Sequence, residues 1–174
     1  MNDNILLSPH FKLREFTEST TAQKHGIANV PGDEAVENLK RLCEHTLEPL
    51  REALQLPVVI TSGFRTKALN SLLAHASDKS QHMAGQAADF YVGQDPVSSS
   101  KVQVPSRREL LIKAFRQIIL DEGIDYDQLI LYPSFIHVSY VSKEKNRHGI
   151  LKAHGNGKLG YGRLTLANAL KINS

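Results

Sequence analysis

Apolar positions along this chain switch between helical and strand spacing, and the switches divide it into elements. After an extended lead, residues 11–16 and 19–26 predict two short helical turns, the second ended by Gly26. From Pro31-Gly32-Asp33, the positions Val36, Leu39, Cys43, Leu47, Leu50 and Leu54 recur at helical spacing, which predicts a long helix kinked at Pro49. Pro57 marks the change to a strand at Val58-Val59-Ile60, and residues 66–76 fit a short helix that carries His75. Small, aromatic and β-branched residues at 87–92 predict a further strand. Ser106 is a fair N-cap for a helix with Leu110, Leu111, Ala114, Phe115, Ile118 and Ile119 on one side, closed by Gly123. Two strands follow at 128–131 and 135–140, joined by Tyr132-Pro133-Ser134, and their natural pairing is antiparallel.

Two stretches depart from this regularity. Residues 93–105 are serine-rich with little apolar periodicity, which predicts a loop. Beyond Ser142 the chain turns basic and glycine-containing. Residues 1–142 are therefore expected to form a single domain, and residues 143–174 a mobile basic tail with a short helix at 164–170. His148 and His154, six residues apart in that polar stretch, are read as solvated surface rather than as a metal site.

Composition narrows the function classes. A chain of 174 residues buries about 70% of its unfolded surface without needing staples. Its one cysteine, Cys43, excludes an intramolecular disulfide framework and a Cys-rich zinc finger. The formal charge of +3 and pI near 9.0 favour approach to an anionic polymer such as a cell wall. Nucleic acid is not expected, because no basic run or aromatic stacking platform accompanies the charge. No membrane span is expected either, and the first ten residues lack the basic start and apolar stretch of a signal peptide.

The chemistry concentrates in Ser80-Gln81-His82-Met83-Ala84-Gly85-Gln86-Ala87-Ala88-Asp89. Here an imidazole and a carboxylate flank a glycine bend, and a second imidazole, His137, lies in a strand whose period of two sets it on the face opposite Ile136, Val138 and Tyr140. Either histidine alone would fit an ordinary hydrogen-bonded core position. Together, two neutral imidazoles and a carboxylate suit a borderline-soft divalent metal, and three protein ligands leave a fourth position open for water. These residues predict a hydrolytic zinc site.

The ten-residue stretch fits S-x-H-x-x-G-x-A-x-D at every fixed place, and Phe135-Ile136-His137-Val138 follows it. With Thr61-Ser62-Gly63-Phe64-Arg65 after the apolar run at 58–60, this resembles the zinc D-alanyl-D-alanine carboxypeptidases, metallopeptidase family fifteen, from about Phe11 to about Tyr140. The resemblance implies an α+β, Hedgehog/DD-peptidase-like fold with an antiparallel sheet and flanking helices. It also implies one catalytic zinc held by His82, Asp89 and His137, and action on the D-amino-acid-containing peptide stems of peptidoglycan, as carboxypeptidase or endopeptidase. In that resemblance Arg65 holds a substrate carboxylate or the oxyanion, and Ser80 lines the same cleft.

One position departs from the family pattern. Where many relatives carry an acidic general base three residues before the second metal histidine, this chain has Ser134, and serine is no base at neutral pH. Asp127, at the start of the preceding strand, is the substitute candidate for the catalytic base. Three readings follow: a zinc peptidase, a zinc-retaining but catalytically weak wall-binding module, and a phage-derived structural component. The expected place of action is the cell wall, reached from the cytoplasm through phage lysis or delivery machinery.

Overall fold

Strand alternation fixes which side of the main sheet meets the core. The computed structural model describes residues 5–74, 76–93, 105–154 and 160–173. Strands β1 (Leu6–Ser8) and β2 (Phe11–Lys12) form a small antiparallel pair at the start. The main sheet comprises β3 (Val58–Ser62), β4 (Ala87–Val92), β5 (Gln128–Leu131), β6 (Ile136–Ser139), β7 (Gly149–Ala153) and β8 (Tyr161–Arg163), in the order β3-β4-β6-β5-β7-β8. Ala88 and Phe90 of β4, Leu129 and Leu131 of β5, and Ile136 and Val138 of β6 are buried on the helix-covered side. The intervening Asp89, Ile130 and His137 point to the other face, where a cleft lies. All pairings are antiparallel except β5 with β7, so the expected α+β architecture holds with one parallel pair in the sheet.

Two short helices, α1 (Leu13–Thr17) and α2 (Thr20–Lys24), take the place of the two expected helical turns. The long apolar stripe forms α3 (Asp33–Leu42), a π-helical turn at Cys43–Leu47, and α4 (Glu48–Leu54). The irregularity expected at Pro49 is thus a π turn just before it, where the Glu48 N–H reaches back to the Cys43 carbonyl. Pro49 itself sits in the first turn of α4, a position that tolerates a missing N–H. Helix α5 (Lys67–Leu72) is shorter than its apolar pattern suggested. Helix α6 (Arg107–Leu120) begins at a capping box in which Ser106 and Glu109 satisfy each other's backbone N–H groups. Its buried face of Leu110, Leu111, Ala114, Phe115 and Ile118 packs on β4 and β5. No described helix is long and apolar enough to cross a membrane. His75 and residues 94–104, the greater part of the expected serine-rich loop, lie outside the described residues.

The boundary expected after residue 142 needs correction. Among the described residues after Tyr140, the basic segment around 143–148 is a connector. From Gly149 the chain re-enters the sheet as β7, parallel to β5, and β8 pairs back onto β7. Helix α7 (Leu166–Leu170) then returns to α6, where the Arg116 guanidinium donates to the Leu170 and Ile172 carbonyls at 2.9 and 2.7 Å. The physical reason is the run Gly149-Ile150-Leu151, short but apolar enough to be buried beside Leu129 and Ile130.

Two glycines let the cleft segments approach the helices. Gly85 has φ +70°, and a Cβ there would lie 2.3 Å from the Ala35 carbonyl oxygen of α3. A Cβ on Gly63 would lie 2.5 Å from the Cβ of Phe16 in α1. Gly85→Ala combines left-handed strain with a backbone clash and should destabilise the fold by about 2–4 kcal/mol in denaturant unfolding. An unchanged unfolding midpoint would contradict the close approach.

Candidate metal centre

Three local structures bring the predicted triad together. His82 sits in a single 3₁₀ turn, Gln81–Ala84, which Gly85 ends in the left-handed conformation before β4 begins. Asp89 and His137 are directly opposed partners in the antiparallel β4–β6 register, which places such side chains side by side. The His82 segment is tied to the end of β3 by a hydrogen bond from the Arg65 N–H to the His82 carbonyl, at 3.1 Å.

The donor atoms form a tight triangle. His82 Nε2 lies 3.2 Å from His137 Nδ1 and 3.4 Å from Asp89 Oδ1, and His137 Nδ1 lies 2.8 Å from Asp89 Oδ1. Zinc bonds of 2.0–2.2 Å in tetrahedral geometry separate neighbouring ligand atoms by about 3.3 Å, so the triangle has the dimensions of one face of such a site. The outer contacts agree with this. His82 Nδ1 is 2.6 Å from the Gly63 carbonyl, so it carries the proton and leaves Nε2 as the free electron pair facing the triangle. Arg65 donates to Asp89 Oδ2 at 2.9 Å and to the Ser62 hydroxyl at 3.1 Å. Burial lowers the His82 pKa, which favours the neutral ligand form. Burial alone would raise Asp89, but the two histidines beside it outweigh that and hold its carboxyl far below the ordinary range. Two imidazoles and an ionised carboxylate, with His82 and Asp89 each held by an outer partner, fit a divalent metal.

The triad opens into a cleft of about 680 Å³. Arg65 and Ser80 line it, as does Asp127, whereas Ser134 is exposed on the turn after β5 and is not among the lining residues. The lining includes Tyr132, whose ring stacks on Phe135 at 4.3 Å, and three residues that sequence reasoning did not single out: Gln81, Lys145 and Arg147. By sequence alone Arg147 falls in the expected basic tail. The one signal against that reading was the apolar run that follows it. His148 is exposed and pairs with Asp125 at 2.9 Å, away from the cleft lining.

Asp127 is almost fully buried, and its carboxylate is heavily engaged. Oδ1 accepts from the Arg147 N–H at 2.9 Å and from Arg147 Nε at 2.8 Å. Oδ2 accepts from Gln81 Nε2 at 2.9 Å and from an Arg147 terminal nitrogen. Burial pushes the acid up, but the Arg147 and Gln81 hydrogen bonds outweigh this and lower its pKa. Because the folded value is depressed, the stabilisation is complete above the unfolded carboxyl value, near pH 4, and is lost as pH falls through the folded value. Asp127→Asn should cost about 2–3 kcal/mol at pH 7 and flatten the acid limb of the stability curve. Equal acid limbs for the two proteins in urea unfolding at several pH values would contradict the pairing.

No curated protein matches the chain. The family model for peptidase M15 matches residues 9–117, a span that holds Arg65, Ser80, His82 and Asp89 and ends before His137. That span is more than half of the 174 residues, and the α+β sheet with its flanking helices agrees with the family's fold. The chain belongs to the peptidase M15 family and is, by that membership, a metallopeptidase.

Proposed function

We propose that this protein is a zinc-dependent peptidase that hydrolyses D-amino-acid-containing peptide stems of bacterial peptidoglycan, as carboxypeptidase or endopeptidase. The observation that carries the reading is the triangle of His82 Nε2, Asp89 Oδ1 and His137 Nδ1 at the floor of an open cleft. Two nitrogens and one oxygen suit zinc better than magnesium or calcium, which favour all-oxygen sites. Zinc held there would polarise a peptide carbonyl and make water a competent nucleophile near neutral pH.

The protein's own groups would do the rest. Arg65 is ion-paired with Asp89 and holds it in place, and its position on the cleft wall suits an oxyanion or a substrate carboxylate as well. Ser80 offers a hydroxyl on the same wall. We assign Asp127 to positioning rather than to proton transfer, because both its oxygens are occupied and its basicity is lowered. The mild positive charge suits an anionic wall polymer, and we place the action at the cell wall, with phage lysis as one setting.

One observation favours a second reading, a zinc-retaining wall-binding module of low activity. Among the described cleft-lining residues the acids are Asp89 and Asp127, and each is ion-paired with an arginine, which leaves no free carboxylate as general base. Zinc analysis of the purified protein, with digestion of muropeptides and identification of products by mass, separates the readings. A peptidase binds one equivalent of zinc and loses cleavage on chelation; the module binds zinc without turnover; a metal-free protein contradicts both.

Two variants sharpen the test. His82→Ala should abolish zinc retention and cleavage together. Arg65→Ala removes the partner of a metal ligand and should weaken zinc affinity or kcat/KM by about 10–100-fold. Unchanged zinc affinity and unchanged turnover in Arg65→Ala would remove Arg65 from the site.

A further inference from the structure

The cleft carries more positive charge than the metal triad needs. Its wall presents Arg65, Lys79, Lys145 and Arg147 against the carboxylates of Asp89 and Asp127. The two arginines differ in their availability. The Arg65 side chain is 12% exposed and turned onto Asp89, whereas that of Arg147 is 59% exposed above an Asp127 carboxylate that is 1% exposed. Asp127 grips Nε and one terminal nitrogen of Arg147, and among the described residues the other terminal nitrogen, Nη1, has no hydrogen-bond partner. Lys79 and Lys145 are exposed and make no ion pair among the described residues.

The sheet order sets the two arginines on opposite sides of the triad. Arg65 follows β3, the metal-facing residues lie on β4 and β6, and Arg147 precedes β7 beyond β5. Arg147 reaches within 3.5 Å of the Gln81 side-chain oxygen, and Gln81 immediately precedes His82. The exposed guanidinium therefore stands beside the metal-facing turn.

We infer that Arg147, flanked by Lys79 and Lys145, forms an anion subsite that receives a carboxylate of the peptide substrate on the β5–β7 side of the triad. This deepens the proposed peptidase function and rests on it. Chemistry supports the choice of ligand. A guanidinium offers a planar fork that matches a carboxylate, and one already held in place loses little rotamer freedom on binding. Burying Asp127 carries a desolvation cost that its ion pair offsets, and the product is an oriented cation on the cleft wall. Asp127 is in this account a positioning residue for Arg147. The carboxylate comes from an acidic side chain or from the chain terminus, and the experiment distinguishes them.

Four labelled, acetylated peptides ending in D-alanyl-D-alanine are compared, carrying an internal D-glutamate or D-glutamine and a terminal acid or amide. Binding to the full chain is read by stopped-flow anisotropy before turnover, and KM and kcat are read separately. Loss of one carboxylate should weaken wild-type binding by about tenfold, acting on KM rather than kcat. The amidation that causes the loss identifies the source. In Arg147→Gln the same amidation should have no effect, and Arg147→Lys should restore part of the preference. Wild-type binding indifferent to both amidations, or equal weakening of acid and amide peptides by Arg147→Gln, overturns the subsite. Should Arg147→Gln fail to fold because Asp127 is left unpaired, Lys79→Gln combined with Lys145→Gln decides: a several-fold reduction of the acid preference supports the subsite, and an unchanged preference overturns it. Carboxylate-dependent binding without cleavage of any peptide would sink the peptidase reading and keep the subsite; cleavage without carboxylate preference would do the reverse.

Discussion

The direct opposition of Asp89 and His137 across β4 and β6 is the constraint on which the site depends. A strand's side chains alternate, so a slip of one residue would send either group to the opposite face. What prevents that slip is the core: Ala88 and Phe90 on β4 and Ile136 and Val138 on β6 are buried, and a slip of one residue would turn the buried pair of the slipped strand out of it. Hydrophobic burial thus fixes a polar geometry. His82 enters from a different element, and its arrival depends on Gly85, which lets the 3₁₀ turn lie against α3.

Placing a carboxylate and two imidazoles together under the cleft is costly in solvation, and the surrounding groups answer that cost. The Gly63 carbonyl fixes one tautomer of His82, and Arg65 balances Asp89. The same device appears a second time on the other side of the triad, where Arg147 balances the more deeply buried Asp127. The inner pair is enclosed beside the triad, while the outer pair leaves its arginine exposed to the cleft. One arginine is thus enclosed against the triad and the other stands exposed on the cleft wall.

Much of this was legible in the sequence because it is local. The fixed spacing from Ser80 to Asp89 and the period-two strand around His137 mark the three residues, while the register that brings His137 to Asp89 is tertiary. The capping box at Ser106 and the apolar face of α6 are likewise local patterns. What the sequence concealed is tertiary. Strand β7 is five residues long and follows a basic connector, and its burial comes from a parallel partner some twenty residues away. Asp127 read as a free acid at the start of a strand because nothing nearby in sequence announces that Arg147 will close over it. The π turn before Pro49 was similarly hidden, since the apolar stripe continues through it with one extra residue in the turn.

The central claim is that His82, Asp89 and His137 hold one zinc ion. Anomalous diffraction from crystals of the purified protein, recorded on either side of the zinc absorption edge, tests it most directly. The account predicts a single strong difference peak bonded to His82 Nε2, Asp89 Oδ1 and His137 Nδ1 at about 2.0–2.2 Å. Crystals grown with zinc that show no peak among these three atoms, or show it only elsewhere on the chain, would contradict it.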